Sequence, residues 1–504
     1  MDPTTSLGNL RFDPATGRLL RDGATVVLSA RGVALLAALV RAQGQPVTKS
    51  DLMQAAWPDT FVEEGNLTVQ IALLRKALGP APDGGDWIAT LPRVGYRLVL
   101  HPAAPAMTVA RPPRLGVLAF HFHGPAQDAA YLAAGMADEI LNALCRFASF
   151  SSVALAHPPG DIDPAALGHA LDIDYVLTGS LRRDGPKLRL LAQLITCDSG
   201  NTLWSDRFEG TTDDIFAFED QITAQVATHL EPLIDRAEID RSRRQRPGSA
   251  KGYDIFLRTR WVIQLADKEA DAAAYAEVLD GLAVEPDNPL LLGTAAWSLE
   301  HRASMGWTLL SPQEQQLCGT FARRGIAFAR GDAFVLAICG ISLLQGAHDY
   351  ALGLTTLREA LRLNPYHMVV VCTNAVGELH CGSLDLALDL FDRARSLNPD
   401  GSFAHVASAG SAHVHMIRGD FAMAYELGGR AVMTAPGFDP GHWMLIAAAA
   451  HLGRMDEARR HLASLHAQSP HVTLASIRTG QLDVLPDRMA NLLEGLRLAG
   501  LAPV

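Results

Sequence analysis

A chain of 504 residues with a formal net charge of -11 is too long for one hydrophobic core, so two to four domains are expected. It is not a general polyanion binder, and affinity for nucleic acid would need charges gathered on one surface. Its 48% hydrophobic and 19% charged residues suit packed domains with little disorder. The 6 cysteines form no Cys-x-x-Cys pair, which argues against a disulfide scaffold and fits a reducing cytoplasm. MDPTTSLGNLRFD has no apolar signal core, and no apolar run reaches the ~18 residues of a membrane span. The expectation is a cytoplasmic protein with no membrane contact.

Residues 7–28 alternate short apolar runs with turn signals at Asp13-Pro14, Thr16-Gly17 and Asp22-Gly23, the pattern of a small antiparallel sheet. Helical periodicity follows. Ser29 is placed to cap a helix through Leu35, Leu36 and Leu39 to about Gly44, and Thr48 caps a second through Leu52 and Trp57 that Pro58 stops. A third helix reads NLTVQIALLRKALG from Asn66, and WIATLPRVGYRLVL forms a hairpin tipped by Arg93. Leu67, Ile71, Leu74 and Leu78 share one helix face and form the docking seam; the other side carries Thr68, Val69, Ala72, Leu73, Arg75 and Lys76. A small, apolar and basic outer face suits a major groove, where Lys and Arg meet phosphates or guanine edges and apolar groups meet thymine methyls.

Sheet, three helices and a C-terminal wing is the order of an α+β winged helix-turn-helix. Leu74-Arg75-Lys76-Ala77-Leu78 and Gly95-Tyr96-Arg97 resemble the end of the third helix and the wing of OmpR/PhoB-type DNA-binding domains. The resemblance implies double-stranded DNA as partner. Asn66, Thr68, Gln70, Arg75 and Lys76 are the helix candidates, and Thr90, Arg93 and Arg97 those of the wing. Tyr96 is expected as a core anchor. Arg75 and Lys76 could equally serve the helix's negative C-terminal end, but the element order and the wing select DNA binding. Ala72 and Leu73 stand where known family members carry arginines, so sequence preference does not transfer. Residues 1–100 carry ten Lys/Arg against nine Asp/Glu, so a second copy on direct or inverted DNA repeats, a homodimer, is expected.

A Pro/Ala linker, HPAAPAMTVARPP, occupies residues 101–113. CadC-like regulators share the N-terminal winged helix and commonly place a transmembrane helix after it; this sequence shows none there. Residues 114–235 alternate strand and helix patterns. RLGVLAF, a helix over about 128–147, a strand near 150–156 and a short helix near 164–171 precede a meander turned by Arg183-Asp184-Gly185-Pro186 and Asp198-Ser199-Gly200-Asn201. YLAAGMADEILNAL and DYVLTGSLRRDGPKLRLLAQLITCDSGNTLWSDRFEG resemble the α/β TolB-like amino-terminal domain of bacterial regulators, found also beside some nucleotide cyclases. The resemblance implies no ligand.

Residues 236–250 include Arg241-Ser-Arg-Arg-Gln-Arg246 before Pro247-Gly248-Ser249 and are expected as a solvated basic linker rather than a phosphate contact. From 251 to 504 the periodicity is helical and repeated. Pro365, Pro399, Pro436 and Pro470 lie 34, 37 and 34 residues apart, with Gly382, Gly419 and Gly453 each 17 before a proline and Ala387, Ala424 and Ala458 five after each glycine. Glycine turns, alanine for close approach and proline at the unit's end match the tetratricopeptide (TPR) arrangement, an all-α solenoid of four to six repeats with a concave surface for a protein or peptide.

His121 and His123 follow a strand, and His405, His413, His415 and His442 fall in repeat helices. His413 and His415 point apart on a helix, so structural or groove-lining roles outrank a metal site. Asp138-Glu139 and Asp213-Asp214 resemble no catalytic dyad, and neither a phosphate loop nor a nucleophile-base pair is recognisable. No catalytic residue, cofactor or metal is expected. The reading is a non-enzymatic transcriptional regulator: the winged helix binds promoter DNA, while the middle domain and repeats sense a signal or recruit a protein. The alternative is a TPR scaffold whose winged helix serves protein interaction. An enzymatic reading would borrow the cyclase association, without a cyclase domain to carry it.

Overall fold

The computed structural model describes residues 5–7, 10–14, 16–21, 24–26, 28–42, 44–58, 62–79, 86–92, 94–99, 111–123, 130–156, 163–246, 248–263, 268–399, 401, 403–481, 484–485 and 487–504. The chain divides into two compact units, 1–109 and 110–504.

In the first unit, β1 (Thr5–Leu7), β2 (Leu10–Asp13), β3 (Arg18–Arg21) and β4 (Ala24–Val26) form an antiparallel sheet in chain order. The Ser29 hydroxyl accepts from the Gly32 amide at 3.0 Å and caps α1 (Ala30–Arg41), which stops short of Gly44. Thr48 accepts from the Asp51 amide at 3.2 Å and caps α2 (Lys49–Ala56). Then comes α3 (Glu64–Leu78). The two-residue strand β5 (Val47–Thr48) pairs with β7 (Gly95–Leu98), whose other neighbour is β6 (Ile88–Leu91). Only glycine fits at position 95, since a Cβ there would stand 2.0 Å from the Val47 carbonyl oxygen. Phe12, Leu19, Leu35, Leu36, Leu52 and Trp87 pack the core with the seam of α3, and Tyr96 joins them.

The second unit begins with a mixed sheet. Its strands are β8 (Arg114–Leu118), β9 (His121–His123), β10 (Ser151–Leu155), β11 (Tyr175–Asp184), β12 (Lys187–Thr196) and β13 (Thr202–Thr211). The order is β10-β8-β11-β12-β13; β8 runs parallel to β10 and β11, the rest is an antiparallel meander, and β9 adds parallel to β11. Gly185 (φ 57°) and Gly200 (φ 69°) take the left-handed conformation that the two tight turns require. Inward side chains Leu188, Leu190, Ala192 and Leu194 alternate along β12 and meet apolar faces of α4 (Ala130–Leu144) and α6 (Ile215–Gln245). On the opposite face, Leu118, Leu155, Ile173 and Val176 form a smaller core beside α5 (Pro164–Ala170).

The expected solvated linker is not a hinge. α6 runs unbroken to Gln245, and its basic end is engaged. Arg241 donates to Asp174 at 2.9 Å and Glu238 at 3.1 Å, while Arg246 donates at 2.8 Å to Asp254, a fully buried carboxylate. The cationic run looked solvated because its acidic partners lie far away in sequence or beyond the proline. Deeper in, Arg260 reaches both Glu231, at 2.6 Å, and Asp235 from the next helix, Gly252–Ile263.

Six successive helix pairs follow among the described residues, from Gly252–Ile263 with Lys268–Val284 to Asp439–His451 with Met455–Gln468. The first helices of consecutive pairs pack on one another and form the inner layer. Gly419 (φ 77°) and Gly453 (φ 74°) make left-handed turns between paired helices. Gly382 acts differently: a Cβ there would lie 1.8 Å from Glu378 Oε2. Ala387, Ala424 and Ala458 are wholly buried, as close helix approach demands. The last helices, Leu474–Gly480 and Asp487–Ala499, turn back across the array. Gln481 donates to the Ser304 carbonyl at 2.7 Å, Arg488 to that of Gly382 at 2.7 Å, and Asn491 to that of Met416 at 2.8 Å.

Candidate nucleic-acid interface

The seam Leu67, Ile71, Leu74 and Leu78 is 1–2% exposed, which turns the opposite side of α3 outward. Asn66, Thr68, Ala72 and Lys76 are exposed there, Gln70 is half-buried, and Val69 and Leu73 are 58% and 54% exposed. Two large apolar side chains held in water on a docked helix are uneconomical unless something covers them. Thr68 returns its hydroxyl to the Glu64 carbonyl at 3.4 Å, and Gln70 Oε1 lies 3.5 Å from the capping hydroxyl of Ser29. At the acidic start of the helix, Lys49 Nζ sits 2.6 Å from Glu64, whose carboxylate raises the lysine's pKa.

Arg75 is oriented differently from the reading that grouped it with Lys76. Its guanidinium turns along the domain: Nε donates to the Ile88 carbonyl at 3.0 Å, Nη2 to Thr90 Oγ1 at 2.9 Å, and Asp86 lies 3.4 Å from Nε. Two expected DNA contacts, Arg75 and Thr90, are thus bonded to each other and tie α3 to the wing. Helical phase alone placed Arg75 outside; only the hairpin's position shows that its side chain reaches β6. Lys76 makes no ion pair among the described residues, and neither does Arg97, exposed on β7. Arg93 lies outside the described residues. Val94 beside it is 48% exposed, an apolar wing residue that the search for polar contacts passed over.

The other flagged residues form no metal-binding group among the described residues. His121 and His123 are exposed on β9, and Asp138 and Glu139 on α4. His413 and His442 are buried and donate to the carbonyls of Arg488, at 3.0 Å, and Pro436, at 2.8 Å. Among the described residues no group of His, Cys, Asp and Glu could hold a metal ion, and no helix is long and apolar enough to cross a membrane.

Residues 23–98 match the family described as "Transcriptional regulatory protein, C terminal". The chain is 30% identical over 99 residues to "Transcriptional regulatory protein CutR" of Streptomyces coelicolor, covering 19% of this chain and 44% of that one. It is 27% identical over 165 residues to "Putative adenylate cyclase 3" of Rhizobium meliloti, covering 32% of this chain and 28% of that protein. The matches thus span less than half of these relatives. The solved DNA-binding domain of Escherichia coli CadC is 27% identical, with a TM-score of 0.19, covering 20% of this chain and 94% of that domain. Residues 23–98 are an OmpR/PhoB-type DNA-binding domain.

Proposed function

We propose that the protein is a transcriptional regulator whose α3 enters the major groove of promoter DNA while the β6–β7 wing follows the adjacent backbone. The observation that carries the reading is the composition of the outward face of α3. Lys76 on the helix and Arg97 on the wing are exposed cations without protein partners among the described residues, and they flank exposed Val69 and Leu73. Cations suit phosphates, and apolar side chains suit thymine methyls. Asn66, Thr68 and Gln70 supply polar contacts, Arg93 extends the wing, and Arg75 with Thr90 holds helix and wing in register. Few phosphate contacts per copy favour two copies on DNA.

Residues 114–235 as a TolB-like domain and 251–504 as TPR-type repeats complete the proposal: they sense a signal or recruit a protein partner. The mechanism is binding rather than catalysis. A gel-shift salt series on Lys76→Ala/Arg97→Ala, with DNA found by genome-wide mapping of bound sites, tests it. Unchanged affinity and salt slope would reject the assigned face. The exposed Val69 and Leu73 also support a second reading, a scaffold whose winged helix binds protein; a map without discrete DNA sites would favour it. The name of the Rhizobium relative raises nucleotide cyclisation, which incubation of purified protein with nucleoside triphosphates addresses.

A further inference from the structure

The inner layer of the helical array lines a part-open cavity of ≈ 390 Å³, in the range of sites that bury small organic molecules. Its walls come from the first helices of five successive pairs, Pro289–Ser304, Ala333–Ile341, Met368–Cys381, Ala404–Ile417 and Asp439–His451. The returning C-terminal segment borders it: Gln481 belongs to its lining and is hydrogen-bonded to Ser304. The array also meets itself, since a Cβ on Gly306 would stand 3.3 Å from the indole of Trp443.

The lining chemistry narrows the occupant further. Trp297, Phe403, Phe438 and Trp443 supply aromatic surface. Among the described residues no Lys, Arg or Asp lines the cavity, and the ionisable side chains there are Glu300, four histidines and Cys372. Burial pushes the Glu300 carboxyl up to about 8 and the Cys372 thiol up to about 12, while it holds His301, His405 and His413 down to about 4 and His380 to about 3. All of these shifts favour the neutral forms, so burial disfavours a charged guest among the described lining groups. Three buried polar atoms of lining side chains, His301 Nε2, His380 Nδ1 and Trp443 Nε1, have no hydrogen-bond partner. These atoms carry almost no accessible surface, so the hydrogen-bonding capacity offered to a guest lies with polar lining side chains such as Ser304, Gln345 and Thr373.

We propose that this chamber binds an uncharged, largely aromatic small molecule bearing one or two hydrogen-bonding groups. As the sensing step of a regulator the inference rests on the reading above; as a ligand site it is independent of DNA binding. The test uses the full chain and two fluorescent probes sharing one aromatic frame, uncharged N-phenyl-1-naphthylamine and its anionic sulfonate, 1-anilinonaphthalene-8-sulfonate. The expected result is saturation by the neutral probe at one molecule per chain, with the sulfonate at least about tenfold weaker. Val406→Phe and Val376→Trp fill the chamber from two walls, and each should weaken the neutral probe about tenfold at an unchanged melting temperature. Equal binding of the two probes, absence of saturable binding, or full binding by whichever filled variant folds overturns the proposal. Gel shifts on the unmodified chain separate the two readings: no probe binding with DNA bound defeats the chamber alone, and probe binding without DNA binding defeats the regulator reading alone.

Discussion

Arg75 Nη2 donates to Thr90 Oγ1 at 2.9 Å, so the third helix and the wing of the N-terminal domain are joined by a side chain that the sequence places among the DNA contacts. Its role follows from where its donors go. Arg75→Ala frees the Ile88 carbonyl and the Thr90 hydroxyl and lets the hairpin drift. The expected effect is ~1–2 kcal/mol of lost domain stability and weaker DNA retention with little change in salt slope. Lys76→Ala is the contrast: stability within ~0.5 kcal/mol of wild type, and a log K against log salt slope shallower by about one. A gel-shift salt series beside thermal melts decides, and identical slopes for the two variants would refute the division of labour.

Leu73, 54% exposed, stands on the outer face of α3 away from the buried seam. Leu73→Ala is expected to leave the melting temperature unchanged and weaken binding to the preferred site by ~1 kcal/mol, with non-specific DNA unaffected, because a methyl contact reads bases and not phosphates. Competition between specific and random duplexes measures this. A uniform loss on both would assign Leu73 a non-specific role.

Arg260 stands between the sheet domain and the helical array with two buried acids on it. Burial works against charge on both carboxyls, yet Arg260 and His367 hold Glu231 well below the usual range, whereas Asp235 is pushed up. Arg260→Ala strands these groups and should cost ~3–5 kcal/mol. Denaturant unfolding of the full chain is the measurement; a loss under ~1 kcal/mol would show that the network relaxes by taking up protons or water.

Glu300 links stability to alkaline pH. Burial pushes its carboxyl from 4.5 to about 8, with only partial relief from Ser304. A folded-state pKa above the unfolded one gives a contribution fully present below about 4.5 and lost as pH rises through about 8. The buried histidines, held neutral, oppose this below their ordinary value of 6.5, so melting temperature should decline from about pH 7 to about pH 9 in wild type, and Glu300→Gln should flatten that decline and be stabilising by several degrees at about pH 9. Parallel pH profiles for the two proteins would show that Glu300 is ionised in the native state.

Much of the fold is readable from local signals. Ser29 and Thr48 announce helix starts, because a hydroxyl before an apolar-periodic run has free amides to cap. The alternating four- and three-residue spacing of Leu67, Ile71, Leu74 and Leu78 defines the buried seam of α3. Gly185 and Gly200 mark the turns of the meander, and Gly419, Gly453 and the buried alanines mark the helix pairs. All of these depend on interactions within a few residues. β5 and β9 went unseen, being strands of 2 and 3 residues that gain their hydrogen bonds from partners distant in sequence.

Long side chains are a different matter. Composition and period determine which face of a helix looks outward, but not where a guanidinium ends. Arg75 bends to the wing, Arg241 and Arg246 find acids across α6 and beyond the next turn, and Arg260 is buried between elements. The cavity beside Glu300 arises the same way, from residues between positions 297 and 492 brought onto one concave wall. Local spacing encodes periodicity and turns, since those energies are settled between near neighbours. Charge pairing, burial and enclosure are decided by residues far apart in the chain, and they exist only once the helices have packed.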